Sequence, residues 1–218
     1  MLSKVIKDPK KPFVAILGGK KISTKIKFIS KLTRLADFVL LSGGLANTFL
    51  AARGFEIGKS LFRQEEMGEA NYLTSVAKRH NTRIVLPEDA VVSKSTDSEI
   101  SQVKLINNLA KSDQVLDIGP KTQAEYETII SKAKTIIWNG PLGYFENPLY
   151  KRGTDFIYYA IEQNPKAVSV IGGGDTLAAI AGKENLDKIT HISTGGGAML
   201  AFIEHGTLVG IDALNKTK

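Results

Sequence analysis

Short apolar runs recur along the chain, and longer amphipathic segments separate them. The runs PFVAIL (12–17), DFVLL (37–41), RIVLP (83–87), QVLDI (114–118), TIIWN (135–139), AVSVI (167–171) and THIS (190–193) carry many β-branched residues and few polar interruptions. That pattern belongs to strands covered on both faces rather than strands with one wet face. Between them, helices are expected over 63–80, 121–133 and 152–163. The alternation predicts an α/β fold: a three-layer αβα, Rossmann-like, doubly wound architecture with a mostly parallel sheet of about six strands. No linker, low-complexity tract or composition break interrupts it, so residues 1–218 read as one domain. The polar stretch VSKSTDSEISQVKL (92–105) reads as a surface excursion.

Ligands of such folds bind beyond the carboxyl ends of the strands. Glycines stand at those ends: LGGKK after 12–17, SGGLA after 37–41, GP after 114–118, NGPLG after 135–139, and the GGG turns at 172–174 and 195–197. Six strand ends are therefore expected to open on one crevice. In IGGGDT (171–176), followed by LAAIA, the glycines fall at the first turn of a helix. Bare backbone there lets N–H groups converge on an anion, helped by the positive end of the helix dipole. A tight turn with Asp175 or Thr176 as N-cap accounts for the same residues without a ligand. A carboxylate beside a phosphate group is unfavourable unless a cation lies between them, which makes Asp175 a candidate Mg2+ ligand. STGGGA (193–198) offers a second anion cradle that lacks a carboxylate.

Lys21 and Lys25, four residues apart, share a face if they open a helix, and would then point at the same crevice. Two surface lysines remain the plain alternative. Neither a Walker-type loop nor a GxGxxG fingerprint is present. Trp138, Tyr158 and Tyr159 read as core residues. The set favours positioning and charge stabilisation, which is what phosphoryl transfer requires.

Composition narrows the classes without choosing among them. With 43% apolar and 23% charged residues the chain resembles an ordinary globular protein, and 218 residues suffice to bury a core. The absence of cysteine excludes disulfides, a thiolate nucleophile and a zinc–thiolate site. His80, His191 and His205 are scattered, which argues against a histidine metal site. The net charge of +7 is crowded into the N-terminal lysines. A solvated basic face, an acidic small-molecule ligand and nucleic acid all fit that charge. No aromatic-rich basic patch or nucleic-acid motif accompanies it, so no nucleic-acid partner is expected. No apolar run approaches about 18 residues, and the N-terminus has none long enough for a signal peptide. The expectation is a cytoplasmic protein without a membrane partner.

Six segments, in order, resemble the C-terminal, nucleotide-binding half of phosphoglycerate kinases: PFVAILGGKKISTKI, EIGKSLF, LDIGPKT, WNGPLGYFE, IGGGDT and HISTGGGA. The resemblance runs from about Leu2 to Leu214. It implies reversible phosphoryl transfer between 1,3-bisphosphoglycerate and MgADP, giving 3-phosphoglycerate and ATP in glycolysis. Mg2+ with ADP or ATP is the implied cofactor. By the same resemblance, Lys25 neutralises the phosphoryl group in transit, and Lys21 and Lys25 contact the nucleotide phosphates. Gly43, Gly44 and Leu116 line the adenine slot, Asn139 and Pro141 contact the nucleotide, and Glu146 meets the ribose hydroxyls. Gly173, Gly174, Asp175 and Thr176 hold the phosphates, with Asp175 on the metal. Gly195, Gly196 and Gly197 present a second helix end to the migrating phosphoryl group.

The chain departs from the family pattern at several positions. Lys20 stands where GGAK[VI]xDK has alanine, and Thr24 where it has aspartate. Val115 replaces a glycine beside the purine, and Ser42 opens a usual glycine triplet. Glu88, Met199 and Ala201 are further differences. Residues 1–11 resemble the tail of the family's interdomain helix, and the N-terminal domain that binds phosphoglycerate has no counterpart in the sequence. Both domains close around the substrates in this family, excluding water. The isolated chain is therefore expected to be monomeric, to bind a magnesium nucleotide, and to transfer phosphate very slowly or not at all. Phosphoglycerate becomes a partner only with an N-terminal domain. A catalytically inactive nucleotide-binding or scaffold module is the alternative, supported by Lys20, Thr24 and Val115.

Overall fold

A computed structural model describes residues 2–20 and 22–208. Six strands form one sheet, parallel throughout: β1 (Phe13–Leu17), β2 (Phe38–Leu41), β3 (Arg83–Val85), β7 (Thr135–Asn139), β8 (Val168–Gly172) and β9 (His191–Ser193). Their order is β3-β2-β1-β7-β8-β9. The apolar runs mark each of these strands to within two residues.

Alternation along β1 divides the core into two layers, since successive side chains leave opposite faces of a strand. Phe13, Ala15 and Leu17 pack with Phe28 and Leu32 of α2 (Ile26–Leu35), Phe49 of α3 (Gly43–Ala52), Leu73 of α4 (Met67–Arg79) and Ile203 of α8 (Gly196–His205). Val14 and Ile16 pack on the other side with Tyr126 and Ile130 of α5 (Pro120–Ile130) and Ile157 and Tyr158 of α6 (Arg152–Glu162). The result is the expected three-layer αβα, Rossmann-like arrangement. Two further helices, α1 (Leu2–Lys7) and α7 (Gly174–Ala179), complete the set among the described residues. α3 is apolar almost all round and buried from Gly44 to Leu50, which is why it shows no amphipathic stripe.

Residues 114–118 are a strand, but not of this sheet. As β6 (Gln114–Ile118) they belong to a separate antiparallel sheet of order β5-β4-β6, with β4 at Asp89–Ser93 and β5 at Gln102–Leu105. The polar stretch 92–105 is thus only partly an excursion, since its last four residues pair with β4. Local apolar pattern reports burial and cannot name the partner strand, so the two sheets look alike in the sequence. A small cluster of Leu50, Ile57, Ala90, Val92, Ile106 and Leu109 fills the space beneath this second sheet. Asp113, almost fully buried, pins its corner by accepting from Lys104 Nζ (2.7 Å), Lys94 Nζ (2.9 Å) and the Ala110 amide (2.9 Å).

Candidate functional site

Five of the six glycine-bearing strand ends lie along the carboxyl edge of the parallel sheet, whereas the sixth, Gly119 after β6, belongs to the second sheet and packs on Asp89, whose Cγ a Cβ there would approach to 2.3 Å. The glycines there answer to two different demands. At Gly18 a Cβ would lie 2.0 Å from the Pro141 carbonyl oxygen, and at Gly140 one would lie 2.3 Å from that of Gly18. These two glycines let the chain segments leaving β1 and β7 touch backbone to backbone, as the Gly18 amide's bond to the Asn139 carbonyl (2.9 Å) shows. A Cβ added at Gly174 or at Gly197 would meet no heavy atom within 4 Å and would face open space. Close packing explains the first pair and does not explain the second.

A cavity of about 270 Å3 opens at this edge. Gly43 and Gly44, at the start of α3, form one wall, and Val115 and Leu116 of β6 form the opposite one. Pro141, Glu146 and Asp175 complete the rim, with Gly19 and Lys20 beside them. The Tyr144 amide, bonded to the Leu116 carbonyl at 2.7 Å, holds the 141–146 segment against β6. The lining is mostly apolar, with Lys20, Gln114, Asp117, Glu146 and Asp175 as charged or polar members. A mostly apolar cavity with a few polar groups suits a flat ligand that also carries polar groups.

Three other candidate residues form a hydrogen-bonded cluster, and Gly173 packs against it. Lys25 Nζ donates to Asn139 Oδ1 (2.6 Å), and Asn139 Nδ2 donates to the Gly172 carbonyl (2.7 Å). Thr176 Oγ1 accepts from the Gly140 amide (2.7 Å) and lies 3.0 Å from the Gly172 carbonyl. Gly173, with φ +109°, brings its backbone so near that a Cβ would stand 2.6 Å from Asn139 Nδ2. Asn139 and Thr176 are buried, so their polar groups serve the fold as well as any ligand. Burial lowers the Lys25 pKa, and the Asp175 carboxylate opposes that shift. Lys25 closes a 3-10 turn (Ser23–Lys25) just before α2, rather than lying in a helix's first turn. Lys21 lies outside the described residues.

The two GGG turns abut: a Cβ at Gly196 would lie 2.9 Å from the Gly173 Cα. Gly174 opens α7 and Gly196 opens α8, so two helix N-termini begin side by side. Asp175 is exposed and lines the cavity. No group of three or more acidic or histidine side chains gathers for a metal among the described residues. A single carboxylate beside an anion cradle fits Mg2+ that arrives with phosphate oxygens and keeps several waters. Leu61, on the α3 side of the cavity, is a lining residue that the sequence pattern does not single out. Its only signal is its place in EIGKSLF, one of the six segments that carry the family resemblance.

Comparisons with known proteins agree with the fold. The family description "Phosphoglycerate kinase" matches residues 1–206. The chain is 44% identical over 215 residues to a phosphoglycerate kinase of Dictyoglomus turgidum, covering 98% of this chain and 54% of that protein. It is 45% identical over 217 residues to one from Legionella pneumophila strain Paris, covering 99% and 54%. The structure of phosphoglycerate kinase from Coxiella burnetii superposes with a TM-score of 0.94 at 38% identity, covering 99% of this chain and 56% of that one. The Pyrococcus horikoshii enzyme superposes with a TM-score of 0.78 at 32% identity, over 98% and 54%. The chain spans about half the length of the relatives it matches.

Proposed function

The chain belongs to the phosphoglycerate kinase family, and from that premise we propose that it is the nucleotide-binding half of such an enzyme. In this reading it holds MgADP or MgATP as a single domain over residues 1–218. Together with an N-terminal domain that binds phosphoglycerate, it transfers a phosphoryl group reversibly between 1,3-bisphosphoglycerate and ADP. The observation that carries the reading is the mostly apolar cavity between the start of α3 and β6, lined by Gly43, Gly44 and Leu116 together with Lys20, Glu146 and Asp175, with the Lys25 cluster close by through Gly19.

In the proposed complex the adenine lies between the start of α3 and β6, and Glu146 takes the ribose hydroxyls. The amides opening α7 meet the phosphates, with Asp175 as the protein's ligand to the metal. Mg2+ there neutralises phosphate charge and orients the oxygens. Lys25, part-desolvated and held by Asn139, supplies a positive charge fixed in place before the phosphoryl group arrives. Gly196 and Gly197 present the amides of α8 to the group in transit. Lys21 is assigned to the phosphates on the resemblance alone. The reading carries with it a monomeric, cytoplasmic protein with neither nucleic-acid nor membrane partner. Of the described helices, none is long and apolar enough to cross a membrane.

A catalytically inactive nucleotide-binding or scaffold module is the second reading, favoured by the position of Lys20 and Val115 inside the cavity. Calorimetric titration of the chain with ADP, with and without Mg2+ and beside Asp175→Ala, tests the shared part. Saturable binding that weakens in the variant is the expected result, and no binding overturns the nucleotide assignment. A coupled assay of the lone chain separates the readings of activity. Turnover should be very slow or absent alone, and ordinary turnover would contradict the need for a second domain.

A further inference from the structure

Glu66 is buried, with 5% of its surface exposed, although it sits among Glu65, Glu69 and other polar residues. Its carboxylate is taken up by donors of a distant chain segment. Oε2 accepts from the Ile22 amide (2.6 Å), and Oε1 accepts from the Ser23 amide (3.2 Å) and the Ser23 hydroxyl (2.5 Å). These donors come from chain positions 43 and 44 residues away. They are the leading amides of the 3-10 turn that ends at Lys25, a turn closed by the Lys25 amide on the Ile22 carbonyl (2.8 Å).

The first amides of a helical turn have no partner within it and need one from outside. Here a charged acceptor supplies it, and hydrogen bonds to a carboxylate are stronger than those between neutral groups. Burial acts to raise the Glu66 pKa, but the Ser23 hydroxyl and the two amides outweigh it and hold the group below the ordinary carboxylate value. Arg63 adds a smaller attraction. The carboxylate stays ionised and the turn stays fixed.

The turn's fixed position matters because of what it carries. Lys25 Nζ reaches Asn139 Oδ1 at 2.6 Å and lies near Gly19, where a Cβ would be 3.5 Å from it. Glu66 also follows closely on Leu61, a cavity-lining residue whose carbonyl accepts from Asn47 Nδ2 (3.0 Å). The Arg63 amide is tied in turn to Thr48 Oγ1 (3.2 Å) on α3. We infer that Glu66 is a positioning residue: it locks the 22–25 turn to the α3 side of the cavity and so holds Lys25 where an anionic ligand would meet it. It touches no ligand itself. The consequence for nucleotide affinity rests on the function proposed above, whereas the consequence for Lys25 does not.

The test is the pH profile of Lys25 acylation, read by peptide mass spectrometry, in the chain and in its Glu66→Gln and Glu66→Ala variants, with ADP titrations beside it. Lys25 should label in the parent with a midpoint below that of an ordinary lysine. In both variants the midpoint should rise toward the ordinary value as the ammonium escapes into water. Affinity for MgADP should fall about 10- to 100-fold, while near-ultraviolet circular dichroism shows the fold retained. Gln keeps one acceptor oxygen and should show the smaller change. A Lys25 midpoint unchanged in a folded variant overturns the inference, since a merely structural anchor would leave it unmoved. If the parent binds no ADP, the nucleotide reading fails, and the Lys25 midpoints still decide the role of Glu66. If neither variant folds, amide exchange in the parent decides: Ile22 and Ser23 should be protected, and rapid exchange at both refutes the clamp.

Discussion

Replacing Gly173 and, separately, Gly174 with alanine applies one chemical change at two adjacent positions with opposite expected results. Gly173 has φ +109°, a conformation that L side chains rarely adopt, and strain of that kind costs about 1–3 kcal/mol. The new methyl would also stand 2.6 Å from Asn139 Nδ2 and 3.1 Å from Thr176 Oγ1. Asn139 must then move, losing its bonds to the Gly172 carbonyl and to Lys25, each contributing about 0.5–1.5 kcal/mol. Strain and lost bonds together come to about 2–6 kcal/mol, or a drop in Tm of roughly 5–15 °C for a chain of this size. At Gly174 no heavy atom lies within 4 Å of the added Cβ, and alanine is the better helix former by up to about 1 kcal/mol. Gly174→Ala should therefore melt at or slightly above the parent temperature. Its methyl does occupy space assigned to a phosphate group, so its affinity for ADP should fall although its stability does not. Differential scanning calorimetry and ADP titration read both quantities. Equal melting temperatures for the two variants would refute the packing argument. Undiminished ADP binding by Gly174→Ala would refute close approach of phosphate at that turn.

Lys25→Met should leave the stability of the ligand-free chain within about 1.5 kcal/mol of the parent, because relief of a charge that burial disfavours offsets loss of the bond to Asn139; denaturant titration reads this. The same variant should bind MgADP about 10- to 100-fold more weakly, and an unchanged affinity would remove Lys25 from the site. Asp113→Ala removes the nearly buried acceptor shared by Lys104, Lys94 and the Ala110 amide; Lys104, 26% exposed, can be hydrated instead, so the cost should be about 1–3 kcal/mol. The folded-state pKa of Asp113 is depressed well below its ordinary 3.8, chiefly by Lys104. Its stabilisation is therefore present above that pH and lost as pH falls further. Acid unfolding should be less steep in the variant, and parallel curves would show that Asp113 is not the group responsible. Val115→Gly should widen the slot beside Leu116 and tighten ADP binding, measured by calorimetry; weaker binding would mean that the valine packs on the ligand rather than crowding it.

Much of the molecule follows from local pattern. The strands at 13–17, 38–41, 135–139 and 168–172 are legible because unbroken β-branched runs survive only where both faces are covered, and β1 is buried at every residue. The site's glycines are legible as glycine runs at strand ends, where the backbone is left bare. What they approach is not written locally. Gly18 and Gly140 are required by one another's backbones, whereas Gly174 and Gly197 face open space, and only the assembled chain separates the pairs. The run QVLDI reads like any other buried strand, yet as β6 it joins a different sheet, because pairing is set by contacts far along the chain. α3 is not legible because it opens on two glycines and is buried on nearly all sides, which erases the periodic signal of a half-exposed helix. Glu66 shows the limit most plainly. In RQEEMGEA it is one polar residue among several, and nothing nearby distinguishes it from Glu65. It becomes a buried acceptor only when the 22–25 turn folds over it from more than forty residues away. The sequence by itself determined where backbone is covered and where it lies bare, since those depend on neighbouring residue types. Tertiary structure alone decided which bare backbone meets protein, which faces solvent, and which carboxylate holds the lysine, since those depend on groups that meet only after the chain has closed.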